Sequence, residues 1–118
     1  MRFARLRAFA LSLPHTTVVI QWGGCHVFKI AGKMFLILVP DEATVEGVVF
    51  KCTPEEFEDL TAVDGIIQAP YCAKRRWVKV TDLAALTEPA LNARIRRSFD
   101  LVAEGLPKKT RLELKLGP

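Results

Sequence analysis

The sequence predicts a single α+β domain, one antiparallel sheet with helices packed mainly on one side. Three observations predict it. An amphipathic helical stripe opens the chain, a run of β-branched segments fills residues 17–51, and a second long helical stripe follows Thr87. Helices flanking a block of consecutive strands are the pattern of an α+β fold rather than of alternating βαβ units.

Residues 2–13 read as the first helix. Phe3, Leu6, Ala10 and Leu13 recur at helical spacing with Phe9 at the border, Arg2, Arg5 and Ser12 fall on the other side, and Pro14 ends the run. Thr17–Gln21 and Cys25–Ile30 read as strands, and Ala31-Gly32 is a short turn into a third, Lys33–Val39. Met34–Val39 is apolar on both faces, which places that strand centrally in a sheet covered at least partly on both sides. Val45–Lys51 is the fourth strand, with Gly47 a candidate bulge.

Thr53-Pro54-Glu55-Glu56 is a helix start. Threonine caps, proline suits the first helical position, and Glu56 stands where a capping box needs it. Phe57 and Leu60 face the core. Gly65 and Pro70 bracket a stretch read as irregular, and Arg76–Val80 is a fifth strand. Thr87 opens the last long helix, whose buried stripe is Leu91, Ile95, Phe99 and Val102. Gly105 and Pro107 end it, and a short helix or extended tail occupies 108–116.

Composition narrows function. Of 118 residues half are hydrophobic and a quarter charged, the balance of a globular protein. The longest apolar run, Met34–Pro40, is too short to span a bilayer, and the run after Arg2, Arg5 and Arg7 breaks at Ser12-Leu13-Pro14, unlike a secretory signal. No membrane partner is expected. Cys25, Cys52 and Cys72 are odd in number and form no CxxC, which fits inert thiols in a reducing compartment, the cytoplasm, with no metal and no cofactor expected.

No catalytic signature occurs. His26 follows Cys25 directly, so on a strand the two side chains face opposite ways, which spoils a simple Cys–His dyad. Binding is therefore favoured over catalysis. The net charge is +4 and unevenly spread: residues 1–40 carry five cations and no acid, 41–64 eight acids and one cation, 65–118 eleven cations and five acids. A positive face attracts polyanions. Lys74-Arg75-Arg76-Trp77-Val78-Lys79 joins cations to an aromatic, which suits phosphate contact with stacking. Lys108, Lys109 and Arg111 form a second basic set. A pocket is expected near Trp22, Lys33, Lys51 and Tyr71. The reading is a nucleic-acid-binding module, DNA above all, with little sequence specificity because no helix-turn-helix or zinc-finger reader occurs. The alternatives are a protein-interaction module, through the acidic segment 41–64 or an exposed sheet edge, and a small-anion-binding protein.

Four segments, taken together, resemble the MmcQ/YjbR family. They are Ser12-Leu13-Pro14; Trp22-Gly23 with Val27–Phe35; Pro70–Val78; and Ser98–Val102 with Leu106-Pro107-Lys108-Lys109. The resemblance implies a fold similar to that of frataxin and a DNA-binding role through a proposed double-wing arrangement. His15 and Arg76 stand where that family commonly has glycine. The resemblance does not extend to iron, because frataxins use an acidic first helix and the first forty residues here hold no acid.

Overall fold

A computed structural model describes residues 2–40, 45–70, 72 and 74–116. The elements run α1 (Arg2–Ser12), β1 (Thr16–Gln21), β2 (Cys25–Ile30), β3 (Lys33–Pro40), β4 (Val45–Lys51), α2 (Pro54–Thr61), β5 (Ile66–Gln68), β6 (Trp77–Val80), a single 3-10 turn (Leu83–Ala85), α3 (Glu88–Glu104) and α4 (Lys108–Glu113). All strands lie in one six-stranded sheet of order β1-β2-β3-β4-β6-β5, every pair antiparallel. The α+β expectation holds. The stretch read as irregular contributes the added strand β5, three residues pairing with β6 at the sheet edge.

Period two sorts each strand between two layers. Phe28, Ile30, Leu36, Leu38, Val48, Phe50, Val78 and Val80 meet Leu6 and Ala10 of α1 and Leu91, Ile95 and Phe99 of α3 in the main core. Val27, Ile37, Val49 and Trp77 point the other way and form a smaller cluster with Ala69. The buried hydrophobic residues of the described helices all belong to the first cluster, so helices cover one face. β3 is buried on both sides, as its unbroken apolar run requires.

Local chemistry sets the boundaries. The capping box of α2 is complete: Thr53 N–H donates to Glu56 Oε1 (2.9 Å) and Glu56 N–H to Thr53 Oγ1 (3.1 Å). Ala31 (φ 49°) and Gly32 (φ 79°) are both left-handed, as a two-residue hairpin of primed type demands. His15 is left-handed too (φ 57°), the conformation that glycine adopts without strain; its Nε2 donates to the Leu114 carbonyl (2.7 Å) and ties the α1–β1 turn to the end of α4. Arg76 keeps a negative φ; in that turn the left-handed residue is Arg75 (φ 62°).

The register slips once between β2 and β3, after Phe28, and again between β3 and β4, after Val39. The second irregularity lies beside Gly47, where a bulge is expected from the sequence. Gly47 also leaves room for Lys79, whose Cε would stand 2.6 Å from a Cβ built there.

Candidate nucleic-acid interface

Where β3 begins, β4 ends, β6 begins and α3 ends, the strand ends and the helix terminus enclose an open cleft of about 350 Å³. Lys33 and Lys51 line it with Met34, Trp77, Val102, Gly105 and Leu106. Two cations and no carboxylate are among these residues. Register explains part of the set: Lys51 and Trp77 are direct cross-strand partners, so their side chains share a face. The tight hairpin at Ala31-Gly32 delivers Lys33 to the same end of the sheet.

Ser98 fixes the floor of this region. It is fully buried, its Oγ accepts from Lys51 N–H (2.8 Å), and its hydroxyl donates to the Phe35 carbonyl. One side chain of α3 thus ties β3 at its slipped register to the last residue of β4. Sequence reasoning passed over Ser98. The signal was present: serine occupies a position of the apolar stripe, between Ile95 and Val102, where only a satisfied polar group is tolerated.

The Lys74–Arg76 turn is exposed and runs directly into Trp77 at the cleft. It is anchored by backbone: Arg75 N–H donates to Gln68 Oε1 (2.9 Å), and Cys52 N–H donates to the Arg76 carbonyl (2.8 Å). The Arg75 guanidinium lies 3.6 Å from Glu58, a pair open to water on both sides. Lys108 and Lys109 are exposed in α4, just beyond Leu106 of the cleft. Two of the basic sets read from the sequence thus lie within a few residues of a lining residue along the chain, although none of Lys74, Arg75, Arg76, Lys108 and Lys109 itself lines the cleft. Trp77 is 9% exposed and packs in the second core cluster. Lys79 shares its face, with its stem over Gly47.

Other expected members lie elsewhere. Arg111 lines a second cleft with Pro14, Phe99, Arg96, Asp100 and Lys115. Trp22 sits in the β1–β2 turn, at the opposite end of β2 from Lys33, so it joins neither Lys33 nor Lys51. Its indole is not packed but 64% exposed, because its left-handed φ of 52° carries the chain around the turn at the sheet edge. Tyr71 lies outside the described residues.

A family model described as YjbR matches residues 11–101. The chain belongs to the YjbR family. Among solved structures it is similar to Deinococcus radiodurans protein DR2400, described as carrying domain DUF419, with a TM-score of 0.84 and 25% identity over 98% of this chain and 88% of that one. It shares its fold with a Pseudomonas syringae protein at a TM-score of 0.68 and 19% identity, covering 86% of this chain and 98% of that one. No significant match is found among curated proteins.

In this YjbR-family chain one acid of the acidic segment, Glu56, is spent internally. Glu56 Oε2 accepts from Arg94 (3.0 Å) and Arg97 (3.3 Å), joining α2 to α3. Burial alone would raise its carboxyl, but hydrogen bonding to Thr53 and the charges of Arg97 and Arg94 outweigh that and hold it below the ordinary carboxylate range. Residues 41–44 of the segment lie outside the described residues. No helix among the described residues is long and apolar enough to cross a membrane.

The titratable groups suited to catalysis are scattered. Burial, with the nearby Glu56 charge, pushes the Cys52 thiol up to about 11, and burial raises Cys72 as well. The thiolate is the reactive form, so both are poor nucleophiles. His26 packs edge-on against Phe3, with ring centroids 4.9 Å apart, and burial followed by the Arg7 charge lowers its pKa. Among the described residues no three His, Cys, Asp or Glu side chains gather as a metal site.

Proposed function

We propose that this YjbR-family protein binds nucleic acid, DNA in particular, through its phosphates and with little sequence selectivity. The observation that carries the reading is the lysine-lined cleft, with no carboxylate among the described residues that line it, whose lining residues Trp77 and Leu106 lead in sequence to the exposed cations of Lys74–Arg76 and of Lys108 and Lys109. Lys33, Lys51, Lys74, Arg76, Lys108 and Lys109 make no ion pair among the described residues, so their charge is available to a polyanion.

Titration of a labelled duplex at several salt concentrations tests the reading. About five phosphate contacts give a log–log slope of roughly −4 to −5. A flat salt response, or no binding at low salt, removes it. Lys33→Gln with Lys51→Gln should make the slope shallower by about two contacts.

A second reading, protein interaction by strand addition, is favoured by β1. This edge strand carries no charge, and Val19 and Ile20 are 42% and 55% exposed. Sheet edges left to water are normally guarded by charge, proline or a bulge. Concentration-dependent sedimentation, alone and with nuclease-treated lysate fractions, tests it: a single monomeric species throughout removes the reading.

A further inference from the structure

We infer that the cleft receives one unstacked nucleotide, so that the chain holds single-stranded nucleic acid more tightly than duplex. This inference rests on the nucleic-acid reading and names the form of ligand that reading leaves open.

Phosphates need only cations, and lysines on any convex surface would supply them. The cleft supplies something more. Beside Lys33 and Lys51 the cleft is lined by an apolar floor, Met34 with the small accessible parts of Val102, Leu106 and Trp77. A duplex presents its phosphates outward and keeps its bases stacked inside, so it has nothing apolar to lay on that floor. An unpaired base has a large apolar face and carries a phosphate on either side of its sugar, which matches an apolar floor rimmed by two lysines. A volume of about 350 Å³ is at the small end of ligand clefts and suits one nucleotide rather than a longer stretch.

The lining is also pre-organised. Lys33 follows a two-residue hairpin, and the Lys51 backbone is clamped by buried Ser98 (2.8 Å). Among the described residues no carboxylate, amide or hydroxyl side chain lines the cleft, so none of them reads one base edge against another. The strand bound is accordingly of mixed sequence.

Anisotropy titrations at one low salt concentration compare a labelled oligothymidine, an abasic strand of equal length and a duplex of equal length. The oligothymidine should bind at least about tenfold more tightly than either of the others, the scale of one base contact. In a Trp22→Phe background, where Trp77 is the only tryptophan, its emission should change on adding the strand and stay constant on adding the duplex. Met34→Gln should weaken strand binding by a larger factor than duplex binding. Equal affinity for all three ligands overturns the inference while leaving the nucleic-acid reading intact. Binding of none of them overturns both.

Discussion

Replacing Ser98 with alanine should be the most damaging single-atom change in this fold. The hydroxyl is the only group lost, and the space it leaves is smaller than a methyl group, so packing contributes little. The cost is polar. Lys51 N–H loses its acceptor at 2.8 Å and the Phe35 carbonyl loses its donor, both against a residue with no exposed surface. An unsatisfied buried donor costs about 1–3 kcal/mol, and a carbonyl left without its partner somewhat less. The hydroxyl's own burial cost is recovered in part, which leaves an expected loss of about 2–3 kcal/mol. Against the roughly 5–15 kcal/mol that holds a domain of this size together, that is a large fraction. Urea unfolding followed by circular dichroism should show a lower midpoint at unchanged slope. Amide exchange at Lys51 should accelerate, and Ser98→Thr, which keeps a hydroxyl, should lose less. A loss below about 0.5 kcal/mol, with Lys51 still protected, would refute the clamp.

Glu56→Gln should cost about 1–2 kcal/mol, since it weakens the α2 capping box and two ion pairs that water already screens; because the folded carboxyl titrates below its ordinary 4.5, that stability is present above pH 4.5 and is lost as pH falls through the folded value, a loss the variant should not show in urea midpoints. His26 has a folded pKa below 6.5, so the unfolded chain takes the proton first and stability present above that pH declines as pH falls below it; His26→Gln should flatten the slope. Ala31→Asn should stabilise by up to about 1 kcal/mol by relieving an L-residue with φ of 49°, measured as a raised melting temperature. Cys52, 2% exposed with its thiol pushed up to about 11, should resist a disulfide reagent at pH 8 until urea unfolds the chain, while Cys25 and Cys72, only half-buried, react earlier.

The elements readable from the sequence are those whose signal is local. The Thr53–Glu56 capping box, the Ala31-Gly32 hairpin and the Leu91–Val102 stripe each declare themselves within a few residues, and each stands where it is expected. β5 does not, because three residues at an edge owe their strand state to β6 rather than to their own pattern. The cleft was legible only in pieces. Lys33 and Lys51 carry no local mark that they meet. Their meeting depends on a hairpin, a slipped register and the length of α3, all tertiary. Trp22, expected in one pocket with Lys33 and Lys51, lies instead at the far end of β2, where a left-handed turn at the sheet edge leaves it in water.

The two kinds of cation in this chain are put to different uses. Among the described residues every ion pair is made by an arginine: Arg5 with Glu88, Arg75 with Glu58, Arg94 and Arg97 with Glu56, Arg96 with Asp100. None is made by a lysine. The division has a physical cause, because the planar guanidinium keeps a fixed fork of donors and loses little freedom on pairing, whereas an ammonium on a flexible stem is strongly hydrated. Four of these five pairs tie elements distant in sequence, so they act as scaffold, and their charge is cancelled where it stands. The uncancelled charge is therefore mostly lysine charge, and the cleft is rimmed by lysine. The consequence separates the two roles: neutralising the arginines of α3 should lower stability with little effect on the salt slope of binding, whereas neutralising Lys33, Lys51 and Lys108 should change the slope with little effect on stability. If the arginine changes altered the slope as strongly as the lysine changes, the positive surface would be a property of the whole molecule and the cleft would have no special claim on the ligand.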